Sequence, residues 1–217
     1  AYKHPSLDID IFFHYSHIGV KGNFAPTGAT YGLSLGNHGF TDNTLQYETP
    51  RISGFKGVGS IHLDNTNKMD YAYIAGGSYK TGDLIIGGVY ARQSNSSNTL
   101  YGIDLYGVAR RIYATWHYQN IKFGVSAENI DTEGMNLNYL FGSSIIKLDE
   151  LHTKLKMSAG HINKGPNQGY GVTIAAFHEI ADAIHVYTLL SYSIFKDNAE
   201  PKVFTLGANY NLQFEIN

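Results

Sequence analysis

Apolar residues fall at every second position through most of this chain, and a period of two is the mark of β-strands rather than helices. In "FTLGANYNLQF", residues 204–214, Phe204, Leu206, Ala208, Tyr210, Leu212 and Phe214 alternate with Thr205, Gly207, Asn209, Asn211 and Gln213. "LDIDIFFHYS" sets Ile9, Ile11, Phe13 and Tyr15 against Asp8, Asp10 and His14, with Phe12 breaking the pattern. Ile112, Ala114, Trp116 and Tyr118 oppose Arg111, Thr115, His117 and Gln119, and Ile121, Phe123, Val125 and Ala127 oppose Lys122, Gly124, Ser126 and Glu128. Leu155, Met157 and Ala159 oppose Lys154, Lys156 and Ser158; Tyr170, Val172 and Ile174 oppose Gly169, Gly171 and Thr173. By the same rule Met135, Leu137, Tyr139 and Phe141 form an apolar face against Asn136, Asn138 and Gly142.

Turn signals punctuate these runs at "TGD" (81–83), "QSNSSN" (93–98), "QN" (119–120), "DTEG" (131–134), "NKGPNQ" (163–168) and "DNAEP" (197–201). Between them the pattern predicts strands near 7–15, 17–24, 28–36, 43–49, 54–64, 69–80, 84–93, 110–119, 121–130, 134–142, 150–161, 168–179, 184–195 and 202–214. That is about 14 strands, within a range of roughly 12–16. Residues 99–109 fit either a strand pair or a long loop, and 143–150 either a turn or the start of a strand. No linker-like composition interrupts the pattern, so residues 1–217 read as a single all-β domain.

An alternating strand needs two different surroundings. A soluble sandwich buries its apolar faces and turns the others to water, usually with long charged side chains. Here charged residues are only 16% of the chain, against a usual quarter or so. The polar faces carry Gly, Ser, Thr and Asn instead, and Tyr closes many apolar faces: Tyr15, Tyr71, Tyr79, Tyr118, Tyr170 and Tyr210. Polar-tipped rings suit a lipid–water boundary, and membrane barrels carry girdles of them. Lipid outside and water inside explains both features. A sheet in lipid must close on itself, because an open edge leaves backbone groups unpaired. The expected fold is a closed antiparallel transmembrane β-barrel.

Other classes find little support. The formal net charge of −2 gives no basic signature for nucleic acid. With no Cys there is neither a disulfide framework nor a cysteine zinc site. No run of about 18 apolar residues predicts a transmembrane helix, and no charged, apolar leader is seen. His14 and His17 are three apart, which on a strand puts them on opposite faces, and the same holds for Ser158 and His161. His178-Glu179 is not a zinc-protease motif, and "GGSYKTGD" at 76–83 lacks the GK[ST] of a phosphate loop. No catalytic residue, metal ligand or cofactor is expected.

The order of segments adds a resemblance. "NTLQYETPRISGFKGVGSI" (43–61) resembles the strand–turn–strand segment of the general diffusion porins of Gram-negative outer membranes. "HIGVKGNFAPTGATYGLSLGN" (17–37) is similar to the hairpin that precedes their inward-folded constriction loop, and "FTLGANYNLQF" to their closing strand. The likeness covers roughly residues 17–214, with eleven strands from Thr44 onward. Family members have 16 strands, so it implies a shortened or incomplete relative, with only "NHGFTD" where the constriction loop would fall.

The resemblance implies a homotrimer in the bacterial outer membrane, surrounded by lipid, through which small hydrophilic solutes and ions diffuse. It also implies that Phe214 is the signal read by the barrel-assembly machinery, although Glu215, Ile216 and Asn217 follow it. Alternation places Lys56, Lys80, Arg111, Lys122, Lys154, Lys156, Asp8, Asp10, Glu48 and Glu128 on the polar face, as candidate pore-lining residues. Basic side chains outnumber acidic ones there, which leans toward anions. The glycines at 57 and 59 fall on the apolar face, where they would allow close contact between subunits. A soluble β-barrel or sandwich that binds a ligand, and a small outer-membrane barrel with a structural role, are the competing expectations.

Overall fold

The computed structural model describes residues 2–3, 40–41, 44–63, 71–93, 107–132, 135–163, 168–181, 184–196 and 202–210. Two short strands, β1 (Tyr2–Lys3) and β2 (Phe40–Thr41), pair with each other. The other eleven form one sheet: β3 (Thr44–Glu48), β4 (Phe55–Leu63), β5 (Tyr71–Thr81), β6 (Leu84–Gln93), β7 (Gly107–Tyr118), β8 (Ile121–Thr132), β9 (Met135–Leu148), β10 (Thr153–Ile162), β11 (Gly169–Ala181), β12 (Ile184–Phe195) and β13 (Lys202–Tyr210). Every neighbour in the sheet is a neighbour in sequence, and every pairing is antiparallel. One 3₁₀ turn, Asp149–Leu151, links β9 to β10. Strands β3 and β13 are the two edges among the described residues.

The connections differ at the two ends. At one end they are tight: Gly82-Asp83, Gln119-Asn120, residues 149–152 and residues 182–183. Gly82, Gln119 and His152 take positive φ there, the left-handed geometry that lets two antiparallel strands turn back in few residues. The turn after β3 is longer and folds onto β5. Gly54 has φ +88°, and a Cβ there would stand 2.5 Å from the Lys80 carbonyl oxygen. Lys80 N–H donates to the Gly54 carbonyl at 2.8 Å, and the Arg51 guanidinium donates to the same carbonyl at 2.7 Å. Most connections at the other end are longer, the largest running from Gln93 to Gly107.

Side-chain accessibility divides the sheet into an exposed face and a sheltered face, and the chemistry is inverted relative to a soluble protein. On the exposed face stand Leu206 (73% accessible), Ile112 (69%) and Phe204 (67%), together with Leu45, Trp116, Val125, Val172, Ile174 and Leu190. The sheltered face carries Ser78, Arg111, Thr115, Ser126, Glu128, Ser143, Ser158, Thr173, Ser191 and Ser193. For most strands the alternation predicted which residue takes which face.

Strand β9 is the exception. Tyr139 and Phe141, expected on the exposed apolar face, are each only 4% accessible, and Leu140 is 59% accessible instead. Register overrides composition here. Tyr139 pairs with Glu128, Phe141 with Ser126 and Ser143 with Gly124, and a one-residue slip would turn every side chain of β9 over. The strand also runs on through Leu148, so 143–148 belongs to it. Residues 107–109, left between strand and loop, open β7. The predicted strands at 7–15, 17–24 and 28–36 and residues 99–106 lie outside the described residues.

Large rings pack over glycines on the sheltered face. Tyr113 covers Gly87, its register partner, and Tyr187 covers Gly207. At Gly207 the three atoms nearest to an added Cβ all belong to the Tyr187 side chain, which fixes a test. Gly207→Val should destabilise the folded protein by about 1–3 kcal/mol, read as a lower urea midpoint in detergent. Adding Tyr187→Ala should recover part of that loss, and a double variant as unstable as the sum of the two singles would argue against this contact.

Candidate functional site

Cross-strand register arranges the sheltered face in rows. One row runs Thr115, Gly124, Ser143, Ser158, Thr173, Ser191, five hydroxyls on six successive strands with a glycine between the first two. Thr173 Oγ1 donates to Ser191 Oγ at 3.0 Å. Ser126, Ser143 and Ser158 hydroxyls have no protein partner. Buried hydroxyls are normally bonded to protein or water, and a dry core on this face would leave these three unsatisfied.

A second row alternates large and small: Gly87, Tyr113, Ser126, Phe141, Gly160, Gly171. Beyond it Arg111 and Glu128 are opposite each other, both almost inaccessible. Arg111 Nε donates to Glu128 Oε2 at 3.1 Å, and Nη2 donates to the same oxygen. Lys56 and Glu48 make the other pair, Nζ to Oε2 2.9 Å. Four of the predicted polar-face charges are therefore bound to one another.

The remaining cations gather at the tight-turn end. The row His117, Lys122, Ile145, Lys156 and the adjoining pair Lys147–Lys154 bring lysines of β8, β9 and β10 together. Lys80, one residue from the end of β5, adds a fourth strand. Arg51 reaches the same face from the turn after β3, donating to Ser78 Oγ at 3.3 Å. Lys80, Lys122, Lys147 and Lys154 have no carboxylate within ion-pair distance among the described residues. Lys147 and Arg51 escaped the sequence reading. Lys147 sat in a stretch not assigned to a strand, and counting alternation from Ser143 would have found it. Arg51 sits in a turn, where alternation says nothing. Asp8, Asp10 and Phe214 lie outside the described residues.

The exposed face has its own order along the strand. An apolar band is bounded at the tight-turn end by Trp116, Tyr118 and Phe123, with Trp116 5.5 Å from Tyr118 and 6.1 Å from Phe123 between ring centroids. At the other end it gives way to Tyr73 and Tyr90, centroids 5.9 Å apart, and to Arg110, Asn129 and Asn138, linked by hydrogen bonds of 3.3 and 2.9 Å. Ser158 lies on the sheltered face and His161 on the exposed one, where its ring stacks on Tyr170. No group of His, Asp or Glu able to hold a metal is found among the described residues.

No family model matches the chain, and no curated protein does. Solved structures do. The anion-selective porin from Comamonas acidovorans aligns over 78% of this chain with a TM-score of 0.67 and 12% identity. The chain spans 59% of that porin. OmpT, an outer-membrane protein of Vibrio cholerae, aligns over 96% of this chain and 75% of its own, with a TM-score of 0.63 and 17% identity. Its loop L8 deletion mutant gives 0.65 over the same 96%. At these identities the likeness is one of fold. The chain is an all-β antiparallel sheet of the kind that outer-membrane barrels are made from.

The Arg111–Glu128 pair yields a prediction. Removing one partner leaves a sheltered charge without its counter-ion, so Glu128→Ala should cost about 3–5 kcal/mol. Arg111→Ala combined with Glu128→Ala should cost less than the two single losses added. Urea unfolding of the four variants gives the coupling directly, and simple additivity would count against the pair.

Proposed function

We propose that this chain is an outer-membrane porin, a closed antiparallel β-barrel that lets small hydrophilic solutes and ions diffuse passively across the bacterial outer membrane. The inverted sheet carries the reading: apolar side chains on the exposed face, hydroxyls and charges on the sheltered one. A soluble sandwich would need a second layer on the apolar face, and the described strands make their substantial contacts only with neighbours in the sheet. The likeness in fold to an anion-selective porin and to OmpT supports the same reading.

The mechanism needs no cofactor and no catalytic step. In the closed barrel, backbone groups pair strand to strand all the way round, so lipid meets only side chains. Two aromatic borders mark the edges of the apolar band, as in other barrels. Water fills the interior against the hydroxyl rows. The paired charges around Arg111 hold the wall, while the lysines at the tight-turn end bias the passage toward anions. By analogy with family members the barrel is a homotrimer put in place by barrel-assembly machinery. The exposed Gly59, with nothing within 4 Å of a Cβ placed on it, leaves room for a subunit wall.

Two measurements test the reading. The folded protein should need detergent, migrate as a heat-modifiable band and give discrete conductance steps in a planar bilayer. A protein soluble without detergent, with no conductance, would favour the soluble ligand-binding barrel. In the same bilayer, Lys154→Glu with Lys156→Glu should move the reversal potential in a salt gradient toward cation preference. An unchanged potential would remove both lysines from the ion path.

A further inference from the structure

The lysine belt runs into a different kind of surface. In the cross-strand row Lys147, Lys154, Phe177, Tyr187, Gly207, two cations are followed by two stacked rings. The Phe177 and Tyr187 centroids are 5.8 Å apart, with planes inclined by 27°. Tyr187 is seated on Gly207, so one ring face rests against backbone. Lys156, in the next row, holds Nζ 4.5 Å from the Phe177 centroid. In the row beside them Ala175 and Leu189 are almost inaccessible, and Phe177 packs against this pair. Nothing in the selection of ions by charge calls for a pair of rings at this place.

We propose that this patch is a binding station for ring-bearing carboxylates: the ring lies on Tyr187 and Phe177, and the carboxylate is held by Lys154 and Lys156. The proposal rests on the channel reading and adds a solute class to it. The dimensions fit. Lys156 Nζ stands 4.5 Å from the Phe177 centroid, so cation and ring surface lie within reach of one small aromatic carboxylate. Offset stacking favours an aromatic guest over an alkyl one, and the ammonium groups favour an anion over a neutral ring.

Three small probes separate these contributions: benzoate has ring and charge, acetate only charge, benzyl alcohol only ring. Binding is measured by titration calorimetry on the folded protein in detergent micelles, with empty micelles as reference. Benzoate should bind about tenfold more tightly than either of the others. Tyr187→Ala should bring benzoate down to the level of acetate while leaving acetate unchanged, and Lys156→Gln should weaken both anions. Should Tyr187→Ala fail to fold, Phe177→Leu, which keeps the space filled, gives the same reading. Benzoate binding no tighter than acetate would overturn the station, as would variants of both rings that leave benzoate unchanged. Conductance in potassium chloride is read separately. A conducting protein without benzoate preference loses only the station, and a non-conducting protein with that preference loses only the channel.

Discussion

Backbone hydrogen bonds between neighbouring strands keep eleven strands in step, and with a side-chain period of two that step decides which face each residue takes. The hydroxyl row from Thr115 to Ser191, the Arg111–Glu128 pair and the lysine belt all exist because six or more strands hold one register without a slip. The irregularity between Glu179 and Ala181 sits at the tight-turn end of β11, where it disturbs none of these rows. Fixing the turns therefore fixes the chemistry of both faces. Gly54, with its backbone pressed against Lys80, is one of the places where that is done.

The charges on the sheltered face divide into two populations with different physics. Arg111 and Glu128 are withdrawn from solvent and bound to each other through Nε and Nη2, so they act as fixed parts of the wall. Lys80, Lys122 and Lys154 stand near the tight turns without such partners among the described residues. A charge tied to a counter-ion contributes little field at a distance, whereas a group of like charges sums. The electrostatic character of the sheltered face is set at one end of the strands.

Much of this could be read in the sequence, for a definite reason. Alternation survives wherever one face meets an apolar medium and the other does not, so strands β7, β8, β10, β11 and β13 had their faces assigned from residues such as Ile112 against Arg111 and Met157 against Ser158. It failed at Tyr139 and Phe141, because aromatic rings serve both faces: as an interface anchor outside and as a cover over Ser and Gly inside. It was silent at Lys147, whose neighbours Ile145 and Ile146 blur the period, and at Arg51, which belongs to a turn. It gave no hint that Tyr187 sits on Gly207 or that Lys156 caps Phe177, since those contacts depend on which strands are adjacent and in what register.

The order of the strands has a further consequence, for folding rather than function. Because each of the eleven strands pairs only with the strand before and the strand after it, no contact within this sheet has to wait for distant parts of the chain to meet. Loop-closure entropy is met in small instalments, a few residues at a time, with the Gln93–Gly107 connection the longest. A sheet of this size with long-range crossings would fold slowly. Here each hairpin is a template for the next strand, and the growing edge of the sheet is the nucleus of its own extension.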